Sequence, residues 1–208
     1  MANLPDDYIQ KTIERLQKNG MEAFYYPTAR EAKEEILKRI PREAKVGVGG
    51  SVTLREIGLL EELNKRGQEV YDHWQTHSKE ERIAVGKRQQ RSDYFLTSTN
   101  ALTLDGKLVN VDATGNRITS MIFGPEKVIV VTGVNKIVLN LEEGLARLKK
   151  VAAKNCQRRK DPTPCAKDLI CRDCDSPGRL CRVTTIIERK PLGLKEFSVF
   201  LIGEELGY

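Results

Sequence analysis

The run Lys127-Val128-Ile129-Val130-Val131 constrains the fold more than any other part of the chain, because it is apolar on both faces of an extended backbone. A strand without a polar side needs cover above and below, which a central strand of a parallel sheet has. The residues leading into it from Asn100 form one unit with it. Asp105-Gly106 stands between two apolar-alternating runs, 101–104 and 108–111, and Asp-Gly suits the positive φ angles of a two-residue hairpin. A polar turn follows, Asp112-Ala113-Thr114-Gly115-Asn116-Arg117, whose small and hydrogen-bonding side chains let the backbone approach a ligand.

Around this unit the chain alternates helix and strand. Residues 7–19 place Ile9, Ile13 and Leu16 on one stripe, and Gly20 stands where a left-handed cap ends a helix. A strand is expected over 21–26. Thr28 and Glu31 have capping-box spacing and open a helix with Ala32, Ile36, Leu37 and Ile40 inward, stopped by Pro41. A strand over 45–48 runs through Gly49-Gly50-Ser51-Val52-Thr53 into a helix over 54–65, with Thr53 and Glu56 as a second capping box. Strands at 68–72 and 93–98 flank a helix opened by Ser78 and Glu81. After the central unit, Asn140 opens a helix with Leu141, Leu145, Leu148 and Ala152 on one side, and two strands, 184–188 and 197–202, return the chain to the sheet. This order predicts an α/β fold with a mostly parallel sheet and one inserted β-hairpin.

The 208 residues suffice for one domain with a substantial core. No segment approaches the roughly 18 apolar residues of a membrane span, and MANLPDDYIQ lacks the apolar core of a secretion signal, so the chain reads as cytoplasmic. A net charge of +6 permits anion binding, but the 29 acidic residues are interspersed with the basic ones, which disfavours nucleic acid as a partner. The oligomeric state has no signal in the sequence.

The glycine turn has two readings. Its free N–H groups can hold a phosphate or carboxylate, or it is only a tight strand-to-helix connection. Gly47-Val48-Gly49-Gly50 lacks the third glycine of a dinucleotide fingerprint, so no flavin or NAD site is expected. His73 and His77 flank the single Trp74 ahead of a helix, with no acid spaced as in a zinc protease. They read as loop histidines lining a pocket or a partner surface.

Thr99-Asn100-Ala101, Asp105-Gly106, Val109-Asn110-Val111-Asp112, Thr114-Gly115-Asn116-Arg117 and the stretch from Phe123-Gly124-Pro125 to Gly133-Val134-Asn135-Lys136 resemble the signature of LUD-domain proteins, the lactate-utilization family. The resemblance spans nearly the whole chain and implies one LUD-type domain over 1–208. It implies a three-layer fold related to ribose-5-phosphate isomerase, glucosamine-6-phosphate deaminase and CoA transferases, and a link to bacterial lactate oxidation. It supplies no catalytic mechanism. It favours the ligand-binding reading of the glycine turn, because relatives in that superfold use such a turn for phosphate or CoA-ester groups, at the sheet edge where α/β folds bind ligands.

All five cysteines fall within 156–182, a cysteine-rich insertion. Cys165, Cys171, Cys174 and Cys181 are spaced C-x5-C-x2-C-x6-C. Nothing directs the chain to an oxidising compartment, so a metal is the better account than disulfides. An iron–sulfur cluster and zinc both take four thiolates, and Lys167, Arg172, Arg179 and Arg182 would offset their charge. A reduced loop without metal is the remaining reading. Cys156, beyond Arg158, Arg159 and Lys160, is not expected among the primary ligands. Some LUD-domain relatives resemble this chain in carrying such a segment and others lack it, which implies an accessory site.

Three functions follow. The first is a LUD-type protein in a multi-protein system oxidising lactate or a related 2-hydroxy acid, with other lactate-oxidation proteins as partners. Its site, for a small anionic metabolite, would comprise Gly49, Gly50, Ser51 and Thr53 with Asn100, Thr114, Gly115, Asn116 and Arg117. There Arg117 pairs two-pronged with the anion and Asp112 is the candidate acid or base. Asp112 and Arg117 read equally as a structural ion pair. The second is a stand-alone enzyme on a phosphosugar or acyl-CoA; no Glu precedes Glu126 in the central stretch, which counts against the glutamate chemistry by which CoA transferases of this superfold resemble one another. The third is a non-catalytic electron-transfer or regulatory subunit that docks through the cysteine segment.

Overall fold

The computed structural model describes residues 6–208. The reading of the amino terminus as free of a secretion signal rests partly on residues 1–5, outside that range.

The main sheet has six strands, all parallel, in the order β1-β10-β7-β4-β2-β3. They are β1 (Glu22–Tyr26), β2 (Val46–Val48), β3 (Val70–Asp72), β4 (Tyr94–Thr97), β7 (Lys127–Gly133) and β10 (Glu196–Ile202). β7 lies inside the sheet between β10 and β4, where its two apolar faces are used: Ile129 and Val131 enter one core and Val128 and Val130 the other. The first core is closed by α2 (Ala29–Arg39), α3 (Val52–Glu56) and α4 (Leu59–Lys65) through Ile36, Leu54 and Leu63.

The opposite core carries the main departure from expectation. Besides α1 (Asp6–Lys18) and α6 (Asn116–Ile122), it is closed by a second sheet of four strands, in the order β8-β5-β6-β9. These are β5 (Ala101–Thr103), β6 (Leu108–Asp112), β8 (Ile137–Val138) and β9 (Val183–Ile187). The strands around Asp105-Gly106 thus belong to a separate sheet, and β9 joins that sheet antiparallel to β6 instead of returning to the main one. α7 (Leu141–Arg159) covers the outer side of this sheet through Leu148, against Ala101 and Val109. One face of the main sheet is therefore backed by a further sheet and helix, more than three layers.

Local signals hold where they are local. Thr28 and Glu31 form both halves of the capping box, and Gly20 adopts a φ of 80° with Met21 N donating back to Leu16 O. Three details differ. The Asp105-Gly106 turn has positive φ at Gly106 alone, with Gly106 N donating to Thr103 O and Thr103 N to Lys107 O. That is a three-residue loop rather than a two-residue one. The helix expected over 54–65 is broken at Gly58, which has a φ of 66°. Its cap is Ser51, whose Oγ accepts from Leu54 N, and Thr53 is the second residue of its first turn.

Candidate functional site

In chain order, β2 leads outward to β3, and the chain then steps back over β2 to β4 and on through β7 to β10. The reversal falls between β2 and β4, and a crevice opens beyond the carboxyl ends of strands at such a point. A cavity of about 590 Å³ lies there. Gly50, Ser51 and Thr53 follow β2, His73 and Trp74 follow β3 (with α5, Lys79–Gln89, next), Ser98 to Asn100 follow β4, and Lys136 follows β7; all line it. Asp112, Thr114, Asn116 and Arg117 line it from the second sheet and α6, and Arg158 and Arg159 from the end of α7. The structure thus brings most of the expected ligand-binding residues to one cavity; Gly49 and Gly115 do not line it.

What these residues do there is largely hold one another. Arg117 is 9% exposed, and its guanidinium donates through Nη1 to Ser98 O (3.0 Å) and Asn110 Oδ1 (2.7 Å), and through Nη2 to Asn100 Oδ1 and Val111 O (2.9 Å each). Its Nε faces Asp112 Oδ2 at 3.4 Å. A guanidinium has five N–H donors, and all five point at protein. Burial pushes its pKa down, opposed by the Asp112 carboxylate. Asp112 Oδ1 accepts from the N–H groups of Thr114 and Gly115, fixing the turn, and Gly115, with a φ of 88°, starts α6. Asn100 Oδ1 also accepts from Val111 N. The arrangement is a buried latch between the two sheets, leaving Arg117 to act on a ligand through its charge and not through a two-pronged contact.

The glycines of the turn make room for protein atoms as well. A Cβ on Gly50 would stand 2.2 Å from Trp74 Nε1 and 3.0 Å from His73 Nε2, and one on Gly49 2.9 Å from Arg117 Cγ. His73 is half-buried, its Nδ1 lies 3.0 Å from Nε2 of the buried Gln89, and burial lowers its pKa. His77 is exposed and outside the cavity. The guanidinium carbons of Arg55 and Arg158 lie 3.9 and 4.4 Å from the Trp74 ring centroid, a cation–π arrangement that sets positive charge at the cavity wall.

Sequence reasoning missed Lys136. It is 3% exposed, and its Nζ donates to Thr53 Oγ1 and Ser98 Oγ, each at 2.8 Å. Burial first, then the positive charges of Arg147 and Arg117, lower its pKa from 10.5 to about 7, with Glu56 acting the other way. The signal that could have found it is its place directly after the central strand, where a lysine at the sheet's carboxyl edge turns inward.

All five cysteines are free thiols, and all five line a second cavity of about 220 Å³ under α7. Cys165 opens the short α8 (Cys165–Asp168), and Arg179 ties the loop by donating from Nε to Cys181 Sγ (3.2 Å) and from Nη1 to Cys174 O (2.8 Å). Cys156, expected to stand apart, is 2% exposed and shares the cavity; burial raises its pKa. The donor set suits a soft metal. Among the described residues, however, no three His, Cys, Asp or Glu side chains converge closely enough to hold an ion. No described helix is long and apolar enough to cross a membrane.

The family model of the LUD domain matches residues 9–202. A crystal structure of a DUF162 family protein from Deinococcus radiodurans superposes with a TM-score of 0.58 over 95% of this chain and 98% of that one, at 16% identity, a likeness of fold. No curated protein matches.

Proposed function

We propose, from the premise that this chain belongs to the LUD-domain family, that it binds a small anionic metabolite of the 2-hydroxy or 2-oxo acid class in the large cavity, as one member of a lactate-oxidising set of proteins. The observation that carries this reading is the charge of the cavity. Arg82, Arg117, Arg158 and Arg159 line it against the carboxylates of Asp112 and Asp161. Such an excess inside a concave wall draws in and retains an anion. The family's proposed kinship with ribose-5-phosphate isomerase and CoA transferases supports the location of the site, at the carboxyl edge of the sheet, and says nothing of the chemistry.

The test is thermal unfolding with lactate, pyruvate, oxalate and phosphate against chloride at equal ionic strength. A bound ligand raises the midpoint in proportion to ln(1 + [L]/Kd). The expected result is stabilisation by a carboxylate ligand that is lost in Arg158→Ala. No acid outperforming chloride would sink the reading.

We also propose that Cys165, Cys171, Cys174 and Cys181 hold a metal, zinc or an iron–sulfur cluster, supported by their sharing one cavity with a cationic clasp, Arg179, around it. Zinc would fasten the segment, whereas an iron–sulfur cluster would supply one-electron chemistry. The residues themselves would present thiolates, and binding would draw the loop inward, coupling metal to local folding.

A further inference from the structure

We infer that Lys136 is a nucleophilic amine that forms a Schiff base with a small 2-oxo acid, its nitrogen held at the cavity wall by Thr53 and Ser98. The inference rests on the reading of the cavity as an acid site and adds the reacting atom and the carbonyl class.

Three observations carry it. Lys136 sits in the turn after the central strand, on the wall of the 590 Å³ cavity, while remaining 3% exposed. Its partners are two hydroxyls and not carboxylates, both at 2.8 Å. A neutral amine has two N–H groups; with both donated to Thr53 and Ser98, its lone pair is left as the only free valence. The charges acting on it are Arg147 from α7, Arg117 from α6 and Glu56 from α3, and the two cations prevail together with burial. Desolvation beside other cations is how a lysine becomes nucleophilic near neutral pH. A salt-bridging lysine would instead have a carboxylate for a partner and stay charged.

The step balances without a further reagent. The Lys136 lone pair attacks the carbonyl carbon of the 2-oxo acid and a C–N bond forms. The carbonyl oxygen leaves as water, carrying one amine proton and one from solvent, and an iminium with one N–H remains. The acid's carboxylate stays in the positive field of Arg117.

The test uses the full chain with pyruvate and cyanoborohydride, which reduces an iminium to a stable carboxyethyl-lysine, followed by peptide mass mapping. At pH 7 a surface lysine is neutral in on the order of one molecule in a thousand, so Lys136 is expected to label far ahead of the exposed lysines. Its rate should reach half its maximum near the titration point of about 7. Lys136→Met and Lys136→Arg should lose the fast site, with folding checked by circular dichroism. If neither variant folds, mapping of the unmodified chain still decides. Labelling spread over exposed lysines, with Lys136 no faster, overturns the inference. Stabilisation by carboxylates without trapping leaves the anion site standing and removes the amine. Fast trapping of a neutral aldehyde at Lys136, with no acid stabilising the fold, keeps the amine and overturns the acid.

Discussion

The Nζ of Lys136 donates to the Oγ1 of Thr53 across 2.8 Å, joining the turn after β7 to the first turn of α3, 83 residues earlier in the chain. The contact ties the carboxyl edge of the sheet together, and the burial of the amine at its end sets how stability responds to pH. In the unfolded chain the amine titrates near 10.5, and in the fold near 7. Between those values the unfolded chain holds a proton that the folded one has shed, so stability rises with pH across the window and the full cost is present below it. Denaturant unfolding at several pH values should therefore show the wild type gaining up to a few kcal/mol on Lys136→Met between about pH 7 and pH 10. Parallel curves for the two proteins would refute the buried neutral amine.

Arg117→Ala should destabilise by about 3–5 kcal/mol, because it strands four oxygen acceptors and the Asp112 carboxylate between the sheets. Arg117→Lys should recover little, since one ammonium cannot span the fork. A loss under about 1 kcal/mol in chemical denaturation would return Arg117 to the role of a ligand clamp.

Gly50→Ala should cost about 1–3 kcal/mol, the usual range for an added methyl in a filled space. The added Cβ would meet the indole N–H of Trp74 at 2.2 Å and displace it or the turn. Calorimetry checks this, and a neutral substitution would mean that the turn is free to move, as a ligand cradle would be.

Anaerobically purified protein should contain zinc or iron, and Cys174→Ser should release it, as read by elemental analysis and a visible spectrum. Unchanged metal content in the variant removes Cys174 from the ligand set. Cys156→Ser tests the opposite expectation: the thiol is buried in the same cavity, but the metal should stay bound.

The elements legible in the sequence are those decided by near neighbours. The capping box at Thr28 and Glu31, the cap at Gly20 and the two-faced apolar run of β7 need only a few adjacent residues. The second sheet was not legible, because β9 reaches β6 from far along the chain, with α7 and the cysteine loop between them. α6 escaped notice for another reason: it is short and starts from a glycine without a side-chain cap. At the site, the polar turn marked Asp112 and Arg117, and the family signature marked Asn100, as candidate site residues. Neither could show that backbone carbonyls and amide oxygens would occupy the guanidinium. Lys136 stood in the sequence only as the end of the Gly133-Val134-Asn135-Lys136 motif; its place after the central strand was a signal, but a lysine in an Asn-Lys turn ordinarily points to water, and it is packing against Thr53 and Ser98 that brings it in.

Trp74 is the single tryptophan, and it leans on the glycine turn at the cavity wall, beneath the charges of Arg55 and Arg158. The chain thus carries its own optical reporter. Any anion that pulls Arg158 away alters the electric field over one indole and nothing else of that kind in the molecule. Emission spectra then give occupancy of the site by titration, without a label and before any substrate is known.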